Sequence, residues 1–196
     1  MTDERASQST ALAPAAPAPP GLLTGSDAAG RLAVAQDIAR ALAPVIDRRH
    51  LYAVVNGRKY VLFEGWTALG ALLGVVPVTA WTRRVERGWE ARVEARTLAG
   101  AVVGAAEAEC LRTERAWATR DDYALRSMAQ TRAGAKALRM ALGFIIALAG
   151  YEATPAEEML ASDDTHSGPQ ARQVPLPRAR QTQYDLKRED PEHGAR

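Results

Sequence analysis

The stretch from Asp121 to Met159, DDYALRSMAQTRAGAKALRMALGFIIALAGYEATPAEEM, constrains the fold more than any other. It reads as one long helix. At about 100° per residue, Met128, Thr131, Ala135, Leu138, Leu142, Ile145 and Ile146 share one broad side. Arg132, Lys136 and Arg139 fall within about 60° of arc beside that stripe. Burial of the stripe would fix the helix and present three long cations together, an arrangement suited to a row of phosphates. The small residues Ala129, Ala133, Gly134 and Ala137 would let another backbone approach closely. A solvated helix face would carry the same three cations, so the row alone does not decide between the two.

The rest of the chain supplies partners for that helix. Ser26 or Asp27 can cap a helix running to about Asp47, with Leu32, Ala35, Ile38, Ala39, Leu42, Val45 and Ile46 on its apolar side. Pro44 is placed to bend or end it. Leu51 to Val55 and Lys59 to Phe63 flank Asn56-Gly57, the favoured two-residue hairpin turn. Gly65 to Gly74 reads as a short helix. Three strands follow, at about Val78 to Val85, Trp89 to Leu98 and Val102 to Leu111. In the middle one Trp89, Ala91, Val93 and Ala95 alternate with Glu90, Arg92, Glu94 and Arg96, so one face is apolar and the other charged. In the last, Ala106, Ala108 and Cys110 alternate with Glu107 and Glu109. Thr154-Pro155-Ala156-Glu157 has the form of another helix start, with Thr as cap, Pro first and Glu third.

The expected architecture is α+β: an N-terminal helix, a β-hairpin, a short helix and a three-stranded antiparallel meander packed on a long C-terminal helix. One domain spans residues 26–160. Residues 1–25, rich in Ala and Pro, and the polar residues 161–196 are too poor in apolar surface to offset their ordering entropy and are expected to be disordered.

Charge is unevenly spread. The whole chain carries 25 Lys+Arg against 23 Asp+Glu. From Arg48 to Arg139 there are sixteen cations against nine acids, an excess of seven in the expected folded part. Nearly all are arginine, whose planar fork suits phosphate and stacks on rings. Aromatic residues stand beside them: Trp81 before Arg83-Arg84, Tyr60 beside Lys59, and Trp117 between Arg115 and Arg120. Trp66 and Trp89 read as core. Single-strand binders combine a positive groove with such stacking platforms.

Residues for bond-making chemistry are not gathered. His50 stands at a strand entry, while His166 and His193 fall in the polar tail. Cys110, the single cysteine, lies on an apolar strand face and reads as a packed thiol. It excludes an internal disulfide framework and suits a reducing cytoplasm. No phosphate-loop, dinucleotide or zinc spacing occurs, so neither cofactor nor metal is expected. The start of the chain lacks the basic and apolar regions of a signal peptide, and no apolar run is long enough to span a bilayer.

With those residues laid out, His50 to Tyr151 resembles the single-strand annealing proteins: the eukaryotic recombination-mediator annealing domain and phage relatives of the Erf and Sak types. The resemblance lies in the order of elements and in two patterns, FEGWTALGALLGV after the hairpin and SMAQTRAGAKALRMALG in the long helix. Lys136-Ala137-Leu138-Arg139 and Gly143 echo the family's basic helix and its glycine-bearing turn. Gly134 and Ala135 stand where the family often carries a second lysine–arginine pair. The resemblance implies a non-enzymatic protein that forms a ring or filament. Such a protein holds single-stranded DNA by its backbone in a basic groove between sheet and long helix, and anneals complementary strands in recombination or repair. It implies that Arg132, Lys136 and Arg139 contact phosphate, with Lys59, Arg83, Arg84, Arg126 and the Trp81 platform in support. The tails would meet a single-strand-binding protein or a nuclease. The competing expectation is a self-assembling adaptor without nucleic-acid affinity, its cationic row paired to acids such as Glu107 and Glu109 of a neighbouring copy.

Overall fold

The computed structural model describes Leu22, Leu23, Gly25 and residues 27–162, with no side-chain description at 161 and 162. The expected arm and tail fall almost entirely outside these residues. Leu22 and Leu23 are the exception: both are half-buried against the main core, so the folded unit starts earlier than residue 26.

Helix α1 (Ala28–Arg49) is capped by Asp27, whose carboxylate accepts the Gly30 N–H at 2.7 Å. Pro44 lies inside the helix and does not end it; His50, in the left-handed region at φ 53°, does. Strands β1 (Tyr52–Val55) and β2 (Arg58–Val61) form the hairpin, paired Val55 to Arg58. Its turn has positive φ at both Asn56 and Gly57, which is why this dipeptide stands there. Helix α2 (Phe63–Leu72) follows, two residues earlier than the sequence pattern suggests.

Strands β3 (Val75–Val85), β4 (Gly88–Thr97) and β5 (Val102–Leu111) make an antiparallel sheet in that order. β3 starts before Pro77, which an edge strand tolerates, and bulges between Thr79 and Trp81. After a short 3-10 turn (Arg115–Trp117), helix α3 (Asp122–Leu148) crosses the sheet, and α4 (Ala156–Ser162) closes the described chain. The expected α+β architecture is the observed one.

Alternation on β4 decides which face α3 covers. Ala91, Val93 and Ala95 are buried against it, while Glu90, Arg92, Glu94 and Arg96 face outward. Contact is close because the facing residues are small. A Cβ built on Gly104 of β5 would lie 2.5 Å from the Ala137 carbonyl oxygen of α3. Coverage thins towards β3: Gln130 of α3 donates to Thr82 at 3.0 Å, but Thr79 and Arg84 stay exposed although their cross-strand partners Val93 and Trp89 lie on the covered face. α1 and α2 pack on other sides of α3, so Arg132, Ala133, Gly134, Ala135, Ala137 and Leu138 are all buried. The predicted apolar stripe is therefore only part of an enclosed helix. The close approach that its small residues permit is used by the chain's own sheet.

Candidate nucleic-acid interface

The cationic row of α3 is not an open cradle. Arg132 is only 8% exposed. Its two terminal nitrogens meet both carboxylate oxygens of Glu114, at 2.9 and 2.5 Å, and one also reaches the Glu109 carbonyl oxygen at 2.8 Å. Burial pushes the Glu114 carboxyl up, but the Arg132 guanidinium and the Leu111 N–H outweigh it and hold the group below the usual carboxylate range. Arg139 pairs with Glu158 of α4 at 2.9 Å. Lys136 is half-buried and, among the described residues, has neither hydrogen bond nor ion pair. Two of the three expected phosphate contacts are thus taken by acids of the same chain, and no groove separates the middle of α3 from β5. Those acids are not Glu107 and Glu109 of a neighbour; Glu109 contributes its own backbone carbonyl.

Lys59 is held elsewhere. It meets Asp47 at 2.8 Å and lies 4.5 Å from the Tyr52 ring centre and 5.8 Å from that of Tyr151. Tyr151 donates its hydroxyl to the Ala43 carbonyl, closing an aromatic cluster at the end of α1. Trp81 and Arg83 share the outer face of the sheet. The Arg83 guanidinium stacks 4.6 Å from the Trp81 ring and pairs with Glu90 at 2.6 Å. Beside them Arg92 pairs with Glu107 at 3.0 Å and Arg96 with Glu94 at 2.6 Å. With Glu109 on the same face, acids outnumber cations there, so that surface does not attract a polyanion.

Arg84 and Arg126 do converge. Both guanidinium groups lie over the Trp89 ring, at 6.0 and 5.5 Å from its centre. Trp89 is half-buried on the sheet's helix side, beside the first turns of α3, and its indole N–H is buried without a partner among the described residues. Asp122, in the first turn of α3, is shared by Arg84 at 3.4 Å and Arg112 at 3.3 Å. Arg112 also donates to the Arg120 carbonyl at 2.8 Å, and its backbone N–H to the Arg87 carbonyl at 2.7 Å. Three arginine side chains, Arg84, Arg112 and Arg126, are thus linked through Asp122 and the Trp89 ring, while Arg87 and Arg120 contribute backbone carbonyls that hold Arg112, with Glu86, Asp121 and Asp122 as the acids in the same segments. One carboxylate divided between two guanidinium groups leaves positive charge uncompensated. Anionic oxygens would meet arginine forks there in their preferred two-point geometry.

Sequence reasoning placed Arg84 and Arg126 in supporting roles and missed Arg87, Arg112 and Arg120. Their cluster forms only when the β3–β4 turn, the end of β5 and the start of α3 come together. The one signal available was the density of arginine flanking Trp117.

Cys110 is buried beneath this end, and burial pushes its thiol up to about 11. Among the described residues no three His, Cys, Asp or Glu side chains are grouped to hold a metal ion, and no helix is long and apolar enough to cross a membrane. No protein-family model, no curated protein and no solved structure matches this chain.

Proposed function

We propose that this protein binds single-stranded DNA and anneals complementary strands without catalysing a covalent step, with the arginine cluster around Trp89 as its phosphate-holding surface. The observation that carries this is Asp122 shared between Arg84 and Arg112, while Arg84 and Arg126 both lie over Trp89. An extended strand laid along the open side of β3 would place phosphates on the guanidinium groups and leave bases outward. Neutralised phosphates repel a second strand less, and a strand already extended has given up part of its conformational entropy before pairing. The order of hairpin, short helix, three-stranded sheet and long helix supports the reading, since it is the order in which the chain resembles the annealing proteins. A cytoplasmic, homo-oligomeric protein belongs to the same proposal, with its end segments engaging a single-strand-binding protein or nuclease.

Titration of labelled single- and double-stranded oligonucleotides by fluorescence polarisation, followed by an annealing assay on complementary strands, tests it. Preferential single-strand binding and accelerated annealing are expected. No affinity at low salt, or preference for duplex without annealing, overturns the proposal.

A second reading, self-assembly without nucleic acid, is favoured by one observation. Opposite the arginine cluster, Leu98 (80% exposed), Met140 (66%), Leu72 and Phe144 present apolar surface from three chain segments. Sedimentation with labelled oligonucleotide at low and high salt separates the readings, because an apolar assembly survives salt and leaves the label free, whereas phosphate contacts carry the label at low salt and release it at high salt.

A further inference from the structure

The segment that follows α3 returns across it. Glu152 donates its N–H to the Lys59 carbonyl at 3.0 Å, and Tyr60 bridges to Glu152 along the hairpin. The next turn then brings α4 against the cationic row. We propose that α4 is an acidic strap, whose Glu158 occupies Arg139 of α3 in place of a strand phosphate and gives way when single-stranded DNA arrives. This inference rests on the single-strand reading above, but on a different surface.

Four observations carry it. First, Glu158 already fills an anion's place on the row, holding Arg139 at 2.9 Å, while Glu157, turned about 100° away on the helix, is buried and accepts the Phe63 N–H at 2.7 Å. To a guanidinium group, a carboxylate oxygen and a phosphate oxygen are equivalent acceptors.

Second, the seat is chemically incomplete. Arg132 Nε and Glu157 Oε2 are both buried without hydrogen-bond partners among the described residues. Such groups are costly to leave unmade, and an incoming phosphate brings more acceptor oxygens than the carboxylate it replaces. Lys136, between Arg132 and Arg139, has no partner and would gain one.

Third, α4 is short and packs outside the main core. Its seven residues fall short of a helix that holds itself in water. Its buried Ala156 belongs to a small cluster with Val55 and Tyr60, separate from the main core. Release would therefore leave the sheet, α1, α2 and α3 packed.

Fourth, Glu157 is held at a cost. It is 7% exposed, and burial raises its carboxyl despite the Phe63 N–H and the Arg132 charge. A docked state with such a charge is poised for exchange.

The experiment uses the full chain and a labelled twenty-nucleotide oligo(dT) at two salt concentrations, comparing the parent with Glu158→Gln. That substitution keeps the side chain's shape and removes the charge that pairs with Arg139. The expected result is affinity raised about three- to tenfold, with a salt slope steeper by about 0.7 for one added phosphate contact. The gain should vanish in the Arg139→Ala background. Hydrogen exchange gives a second readout independent of any variant: adding oligo(dT) to the parent should speed exchange of amides 156–162. Equal affinity and slope for parent and Glu158→Gln, or slower exchange of those amides on binding, overturns the strap while leaving the arginine-cluster reading intact. Absence of binding by both proteins overturns the two together.

Discussion

Arg132 and Glu114 meet fork to fork inside the protein, two guanidinium nitrogens on two carboxylate oxygens, and tie the middle of α3 to the loop after β5. A pair in this position is structural, because neither member can leave without abandoning a buried charge. Arg132→Ala should destabilise the fold by about 3–5 kcal/mol. Arg132→Lys should recover only part of this, since an ammonium cannot reach both oxygens and the Glu109 carbonyl together. Thermal unfolding followed by circular dichroism checks both. A melting point unchanged in Arg132→Ala would mean the pair is not what holds that loop.

The half-buried Glu114 and the buried Glu157 give opposite pH dependences. Glu114 is held below its ordinary value near 4.5, so its contribution is full above that pH and is lost as pH falls through its folded value. Glu157 is raised, so the cost of its charge is absent below 4.5 and grows as pH rises from there through its folded value. Compared with Glu157→Gln, the parent should gain stability as pH falls from 7 towards 4.5. Compared with Glu114→Gln, it should lose stability below 4.5. Melting curves of the three proteins across that range test both signs; the same pH profile in all three contradicts the assignment.

Gly104 is required by approach, not by backbone conformation. Gly104→Val should force α3 off β5 and cost on the order of 1–3 kcal/mol, the usual range for an overpacked core. A variant as stable as the parent in urea denaturation would show that the helix has room to move.

Cys110 should be inert while the fold is intact. It is buried, and its thiol is pushed up to about 11, so little thiolate exists at pH 8. A thiol-reactive dye should label it only after denaturant unfolds the chain. Rapid labelling of the native protein would place Cys110 at a surface.

The sequence carried the element order well because each element has a local signature. Asn56-Gly57 turns the hairpin, the Ala91–Val93–Ala95 alternation orients β4, and Asp27 starts α1. Pro44 misled at a boundary, since it stands inside α1 and the helix runs on past it to Arg49. The site was less legible. A helical wheel shows that Arg132, Lys136 and Arg139 share a side, but not that Glu114 lies 18 residues before one and Glu158 19 residues after another. Charge pairing at that separation is a property of the fold. For the same reason the cluster of Arg84, Arg112 and Arg126 left no periodic trace, because its members come from three different elements.

The salt dependence of single-strand binding by the Arg84→Ala/Arg126→Ala protein tests the central claim most directly. Both side chains are exposed, so the fold should persist, and each phosphate contact removed should flatten the slope of log affinity against log salt by about 0.7. The prediction is affinity reduced at least tenfold near 50 mM salt, with a slope shallower by one to two contacts, about 0.7 to 1.4. Affinity and slope equal to the parent's in a protein that melts normally would contradict it.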